Sequence, residues 1–157
     1  VIYEIFDDLL SKHGFEPLKL SRSKKPLSLQ NLTPLEFENV VAKLFKRMGY
    51  NILRMPDSQD GGVDIIASKT NGRSSEKLAI RCKYQASPVD RSDFLELLGA
   101  MASDVSFSKG IVVTNNEVTK AAMQMMGKNE YLGVICGREI NELIKRYDIF
   151  KESDLKT

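Results

Sequence analysis

The chain has one histidine, His13, and only two cysteines, Cys82 and Cys136, among 157 residues. A zinc site or a Ser-His-Asp triad needs imidazoles or closely spaced thiolates, so neither has the material to form. No Cys-x-x-Cys occurs, and both cysteines sit in apolar, strand-like runs, where reduced core thiols are expected. No apolar run approaches the ~20 residues of a membrane span, and nothing resembles a secretory signal. An intracellular, cytoplasmic protein is the expectation, although a start at Val1 rather than Met leaves targeting open. Charge of one sign is also scarce. Lys and Arg number 23 against 21 Asp and Glu, a net charge of +2, so contacts to a polyanion must come from local clusters. With 42% hydrophobic and 28% charged residues, the composition is that of a single soluble globular domain.

Ile2, Ile5, Phe6, Leu9 and Leu10 have helical spacing and Gly14 is a natural stop. A stretch carrying Lys19, Arg22, Lys24 and Lys25 follows, closed by Pro26. Its plainer interpretation is a solvated linker, and the sharper one an arm that touches phosphates. Residues 1–29 therefore read as an N-terminal helix and basic linker, and 30–157 as the main domain. Thr33-Pro34 is an N-cap with proline at the first helical position, and Phe37, Val40, Val41, Leu44, Phe45 and Met48 form one apolar stripe ending at Gly49. Strands are expected over 50–55 and 63–68, and Asn71-Gly72 reads as a hairpin turn into a third strand over 77–85. A helix beginning at 88–90, a strand over 110–114 buried on both faces, a helix over 118–126, a strand over 132–136 and a last helix over 138–146 complete the order α-β-β-β-α-β-α-β-α.

Chemistry concentrates in Gly61-Gly62-Val63-Asp64-Ile65-Ile66 and Leu78-Ala79-Ile80-Arg81-Cys82-Lys83, where charged residues interrupt apolar strands. Alternation puts Arg81, Lys83 and Gln85 on one face and Ile80 and Cys82 on the other. If the hairpin pairs these strands, Asp64 lies beside Lys83. A carboxylate at a strand end can hold Mg2+ together with water and phosphate, and the bound water becomes more acidic. A lysine ammonium there can orient that water or stabilise the charged phosphate. Glu38 borders the apolar stripe and could face the same site, although alone it reads as an ordinary solvated helix carboxylate. Glu96 is a candidate second acid, with a solvated position the plainer reading. Tyr84 could stack on a base or simply pack. Gly61-Gly62 most simply makes a turn, because no helix and no Lys-Ser/Thr follow it. Met123, Met125 and Met126 read as helix packing.

The run Leu32-Thr33-Pro34-Leu35-Glu36-Phe37-Glu38, then Met48-Gly49-Tyr50, Gly61-Gly62-Val63-Asp64 and Cys82-Lys83-Tyr84, resembles the catalytic domain of Mrr-type restriction endonucleases, in the PD-(D/E)XK nuclease superfamily. The likeness continues through Pro88-Val89, Glu96 to Ala100 and Gly110 to Thr114. It implies an α/β, restriction-endonuclease-like three-layer fold, a mixed sheet of about five strands flanked by helices. It further implies DNA as the partner, phosphodiester hydrolysis with Mg2+ or Mn2+, no small-molecule cofactor, and self-association as one way to cut both strands. Residue by residue, Glu38 takes the helix-acid place, Asp64 the metal-binding Asp and Lys83 the catalytic Lys, with Asp64 and Glu38 as metal ligands. Arg81, Gln85, Tyr84, Lys24 and Lys25 are the candidate DNA contacts.

One position departs from the pattern. The family usually has Gln or Glu two residues before the lysine, and here Arg81 stands there, which cannot coordinate a cation. Three readings follow: Arg81 clamps a phosphate in a working enzyme, Gln85 stands in for the missing ligand, or the domain binds DNA without cutting it. An interaction module of a larger complex, with residues 1–29 as its tether, is a reading from another class.

Overall fold

Thr33 opens the first helix with a reciprocal cap. Its hydroxyl accepts from Glu36 N at 3.1 Å, and the Glu36 carboxylate accepts from Thr33 N at 3.1 Å. Pro34 fits the first turn, which spares its missing N–H, and α1 runs Pro34–Arg47. The computed structural model describes residues 29–55 and 62–150. The expected helix over 1–13, the basic stretch with Lys24 and Lys25, and most of the glycine turn before Asp64 lie outside them.

Five strands follow the expected order. They are β1 (Asn51–Arg54), β2 (Ile65–Asn71), β3 (Ser74–Lys83), β4 (Lys109–Thr114) and β5 (Leu132–Ile135). Helix α2 (Arg91–Ala102) joins β3 to β4, α3 (Lys120–Gly127) joins β4 to β5, and α4 (Gly137–Arg146) closes the described order. The sheet order is β1-β2-β3-β4-β5; β1, β2 and β3 pair antiparallel, β3, β4 and β5 parallel. Gly72, at φ +60, sits in the tight turn that pairs Asn71 with Ser74. It fixes the register Ile65↔Ile80.

Alternation on β3 decides the layers. Leu78 and Ile80, with Ile65, Ala67, Ile111, Val113 and Ile135, pack under Phe37, Leu44 and Phe45 of α1 and Ile140 and Leu143 of α4. Ala79, Val112 and Val134 face the other way, against Phe94 and Leu97 of α2 and Ala122 and Met126 of α3. Met126 is buried and Met123 largely exposed, so the methionine-rich helix packs through only part of its set. The result is the three-layer α/β fold that the resemblance implies. Several element ends fall a residue or two from the expected places. The largest differences are at β3, which runs Ser74–Lys83, and at β2, which starts at Ile65 and extends to Asn71, so Asp64 stands in the bend before the strand and not within it. Among the described residues no helix is long and apolar enough to cross a membrane.

Candidate active site

The site begins where β2 stops pairing with β3. Asp64 N donates to Ile80 O at 2.8 Å, the last backbone rung between the two strands. β3 continues through Arg81, Cys82 and Lys83, whose other edge is paired with Val112, Val113 and Thr114 of β4. The Cys82 N–H on the open edge would lack an acceptor. The Asp64 carboxylate supplies one: its Oδ2 accepts from Cys82 N at 2.7 Å. A bend at Asp64 thus puts a carboxylate where the ladder would have a carbonyl. The position lies near the carboxyl ends of the parallel strands β3 and β4, where open α/β sheets commonly bind ligands.

Two other elements converge on this notch. Met55 N donates to Asp64 O at 2.9 Å, which sets the end of β1 beside Asp64. From there Arg54 reaches back to α1: its Nη2 and Nε donate to Glu38 Oε1 at 2.7 and 3.1 Å, and its Nη1 to Asn39 Oδ1 at 2.8 Å. Gly62 abuts α2 so closely that a Cβ there would lie 2.9 Å from the Glu96 carbonyl oxygen, at φ +156. Only glycine fits that approach without movement.

On the α2 side of β3, Arg81 and Lys83 meet two carboxylates. Arg81 Nη2 lies 2.6 Å from Glu96 Oε2 and 3.7 Å from Asp93 Oδ1, and Lys83 Nζ lies 3.1 Å from Asp93 Oδ1. Asp93 is 8% exposed. Arg81 Nε is buried with no hydrogen-bond partner among the described residues. Cys82 points the other way, toward the α1 layer, as alternation requires. Its thiol is held well above the ordinary range, by burial first and then by the negative charges of Asp64 and Glu38, with Arg54 opposing. Both candidate acids therefore act on the same thiol from different elements.

The remaining candidates have other partners. Gln85 lies beyond the end of β3, and its side-chain amide donates to Ser87 O and Pro88 O at 2.9 and 3.2 Å. It turns into its own loop, because the strand's alternation ends at Lys83. The Tyr84 hydroxyl donates to Leu29 O at 2.6 Å and accepts from Leu32 N at 3.2 Å, while its ring packs on Phe37 with centroids 5.2 Å apart. Lys24 and Lys25 are outside the described residues. Glu96 is half exposed, yet it is an ion-pair partner and not a merely solvated helix acid. The sequence pattern does not mark Asp93 as a site residue. Its only signal is its place one turn before Glu96, facing the same side of α2.

Asp64 keeps Oδ1, and Glu38 keeps Oε2, free of hydrogen bonds among the described residues. No group of three His, Cys, Asp or Glu side chains that could hold a metal comes together among those residues. A hard cation that takes most of its ligands from water and phosphate needs only one or two carboxylates, so the donor chemistry fits at that minimum.

The restriction endonuclease family Mrr_cat matches residues 29–144, most of the chain. The chain belongs to the Mrr-type restriction endonuclease family. Solved structures with the same fold include the DNA modification-dependent restriction endonuclease AspBHI, at TM-score 0.57 and 17% identity, over 94% of this chain and 44% of that one. The MspJI restriction endonuclease, solved in complex with a 27-mer oligonucleotide, aligns at TM-score 0.52 and 17% identity, over 78% and 29%. Protein AF1548, described as of unknown function, aligns at 0.55 and 17%, over 74% and 67%. The Mrr-type domain thus spans less than half of either endonuclease. No curated protein matches its sequence.

Proposed function

We propose that this Mrr-type domain hydrolyses phosphodiester bonds of DNA, with Asp64 and Lys83 as its central pair. The observation that carries the proposal is the notch at the β2/β3 divergence: Asp64 is fixed by Cys82 N at 2.7 Å, next to the strand positions of Arg81 and Lys83. Asp64, with Glu38 as second acid, would hold Mg2+ or Mn2+. Such an ion supplies a more acidic water and offsets phosphate charge when bound. The Lys83 ammonium stabilises negative charge on the phosphate under attack, and Arg81, whose Nη2 meets the half-exposed Glu96, clamps a phosphate oxygen. Arg54 holds Glu38 in place. Lys24 and Lys25 remain proposed phosphate contacts, and residues 1–29 a separate helix and tether. Cutting both strands calls for two active sites, so self-association is part of the proposal.

A second reading has its own support. Arg81 stands at the usual ligand position, and among the described residues Arg54, Arg81 and Lys83 are each paired with a carboxylate, which favours a domain that binds DNA without cutting it. A supercoiled-plasmid assay with Mg2+ or Mn2+, with and without chelator, separates the two. Nicking that the chelator stops supports the enzyme; binding without nicking supports the second reading.

A further inference from the structure

Two carboxylates on consecutive turns of α2 meet the β3 cations, and their surroundings differ. Asp93 is nearly buried. Its Oδ1 serves Lys83 at 3.1 Å and lies 3.7 Å from Arg81, while its Oδ2 accepts from Asp90 N at 3.3 Å. That first turn is itself fixed. The Thr119 hydroxyl donates to Asp90 Oδ1 at 2.8 Å and caps α3 through Ala122 N, and Val89 and Val118 are bridged by Val89 N to Glu117 O and Thr119 N to Val89 O, each 2.9 Å. Glu96 lies one turn on, with its side chain 52% exposed, and among the described residues its ion pair is with Arg81 at 2.6 Å. The Gly62 turn that leads to Asp64 rests on the backbone at Glu96.

We propose that Asp93 is a positioning residue that holds Lys83 and Arg81 toward substrate, and that Glu96 is an exchangeable stand-in whose place on Arg81 a DNA phosphate takes. The inference rests on the nuclease reading for its catalytic half. A buried carboxylate tied at both oxygens is costly to displace, so the ammonium that it anchors keeps one position. A half-exposed carboxylate keeps much of its hydration and leaves at small cost. Carboxylate and phosphate offer a guanidinium the same pair of acceptor oxygens, so one can replace the other without moving Arg81.

The test compares Asp93→Asn, Glu96→Gln, Lys83→Ala and the Asp93→Asn/Lys83→Ala double variant in the full chain. Readouts are steady-state cleavage of a DNA duplex, affinity for that duplex, and the 15N ammonium signal of Lys83. Asp93→Asn should lower kcat about 100-fold with little change in KM, since a misplaced group costs rate more than binding. It should cost nothing further once Lys83 is gone, and it should erase the Lys83 ammonium signal. Glu96→Gln should tighten duplex binding several-fold and keep that signal. Multiplying losses in the double variant, a surviving ammonium signal in Asp93→Asn, or weaker binding by Glu96→Gln would overturn the proposal. If the wild type cuts nothing, the nuclease reading fails, and the ammonium signal and duplex affinities still decide the roles of Asp93 and Glu96. Should Asp93→Asn not fold, Asp93→Glu keeps the charge at a different reach; a shifted Lys83 resonance is expected, and an unmoved one counts against the proposal.

Discussion

Replacing Arg81 with Gln tests what the departure from the family pattern does. Arg81 is well covered and paired to Glu96 at 2.6 Å, but Glu96 is half exposed and returns to water when its partner goes. Asp93 keeps Lys83. The stability cost should therefore be modest, about 1 kcal/mol, as for exposed ion pairs. Binding should suffer more. One charge-assisted hydrogen bond is worth about 1.5–3 kcal/mol, or roughly 10- to 100-fold in Kd. Fluorescence anisotropy of a labelled duplex across a salt series measures both affinity and the number of phosphates engaged. Loss of one contact should lower the slope of log K against log salt by roughly 0.9. Cleavage should fall in parallel. An Arg81→Gln protein with unchanged Kd and slope would refute the phosphate clamp. A gain of nicking in Arg81→Glu would instead show that the arginine displaces a metal ligand.

Three further outcomes are expected. Tyr84→Phe removes the hydroxyl that ties Leu29 and Leu32 to β3, which should cost about 1–2 kcal/mol in a denaturant titration while duplex affinity holds; unchanged stability would contradict that tether. Both thiols should resist alkylation in the native protein at pH 8, because burial raises Cys82 and pushes Cys136 up to about 12, with the Glu139 carboxylate adding to the latter; rapid native labelling of either contradicts the placement. The unfolded thiol loses its proton near 9.0 and folded Cys136 near 12, so its stabilisation is complete below that window and declines as pH rises through it, which thermal melts of wild type and Cys136→Ala can compare. Gly62→Ala should destabilise the turn and reduce activity, since its Cβ meets backbone at 2.9 Å; a variant equal to wild type in both would show that the turn moves freely.

Most of the fold was legible because local signals agreed with the global pattern. Thr33-Pro34 marked a helix start, Asn71-Gly72 a hairpin, and Gly110 to Thr114 a strand buried on both faces, and each is found there. The alternation that sends Cys82 to the core and Arg81 and Lys83 outward was equally readable. The site's connections were not. Asp64 was expected inside a strand, because an Asp in an apolar run looks like a strand position; its bond to Cys82 N depends on where two strands part, which no local pattern encodes. Alternation extended past Lys83 puts Gln85 on the Arg81 face, but β3 ends at Lys83 and Gln85 turns into its own loop. Asp93 and Glu96 look like ordinary helix acids until α2 is laid against β3. Their pairing with Arg81 and Lys83 joins residues from separate elements, a tertiary fact that periodicity cannot carry.

A working nuclease centre in the notch beside Asp64 must cut DNA through Asp64 and Lys83. The most direct measurement is conversion of supercoiled plasmid to nicked circles by wild type, Asp64→Asn and Lys83→Ala, each with Mg2+ or Mn2+. Asp64→Asn keeps an oxygen for Cys82 N, so loss of cleavage in that variant cannot be laid to the backbone bond alone. Measurable wild-type nicking is expected, with near-complete loss in both variants and melting behaviour retained. Nicking that survives Asp64→Asn and Lys83→Ala, or a folded wild type that binds the plasmid and never cuts it with either ion, would rule out this nuclease centre.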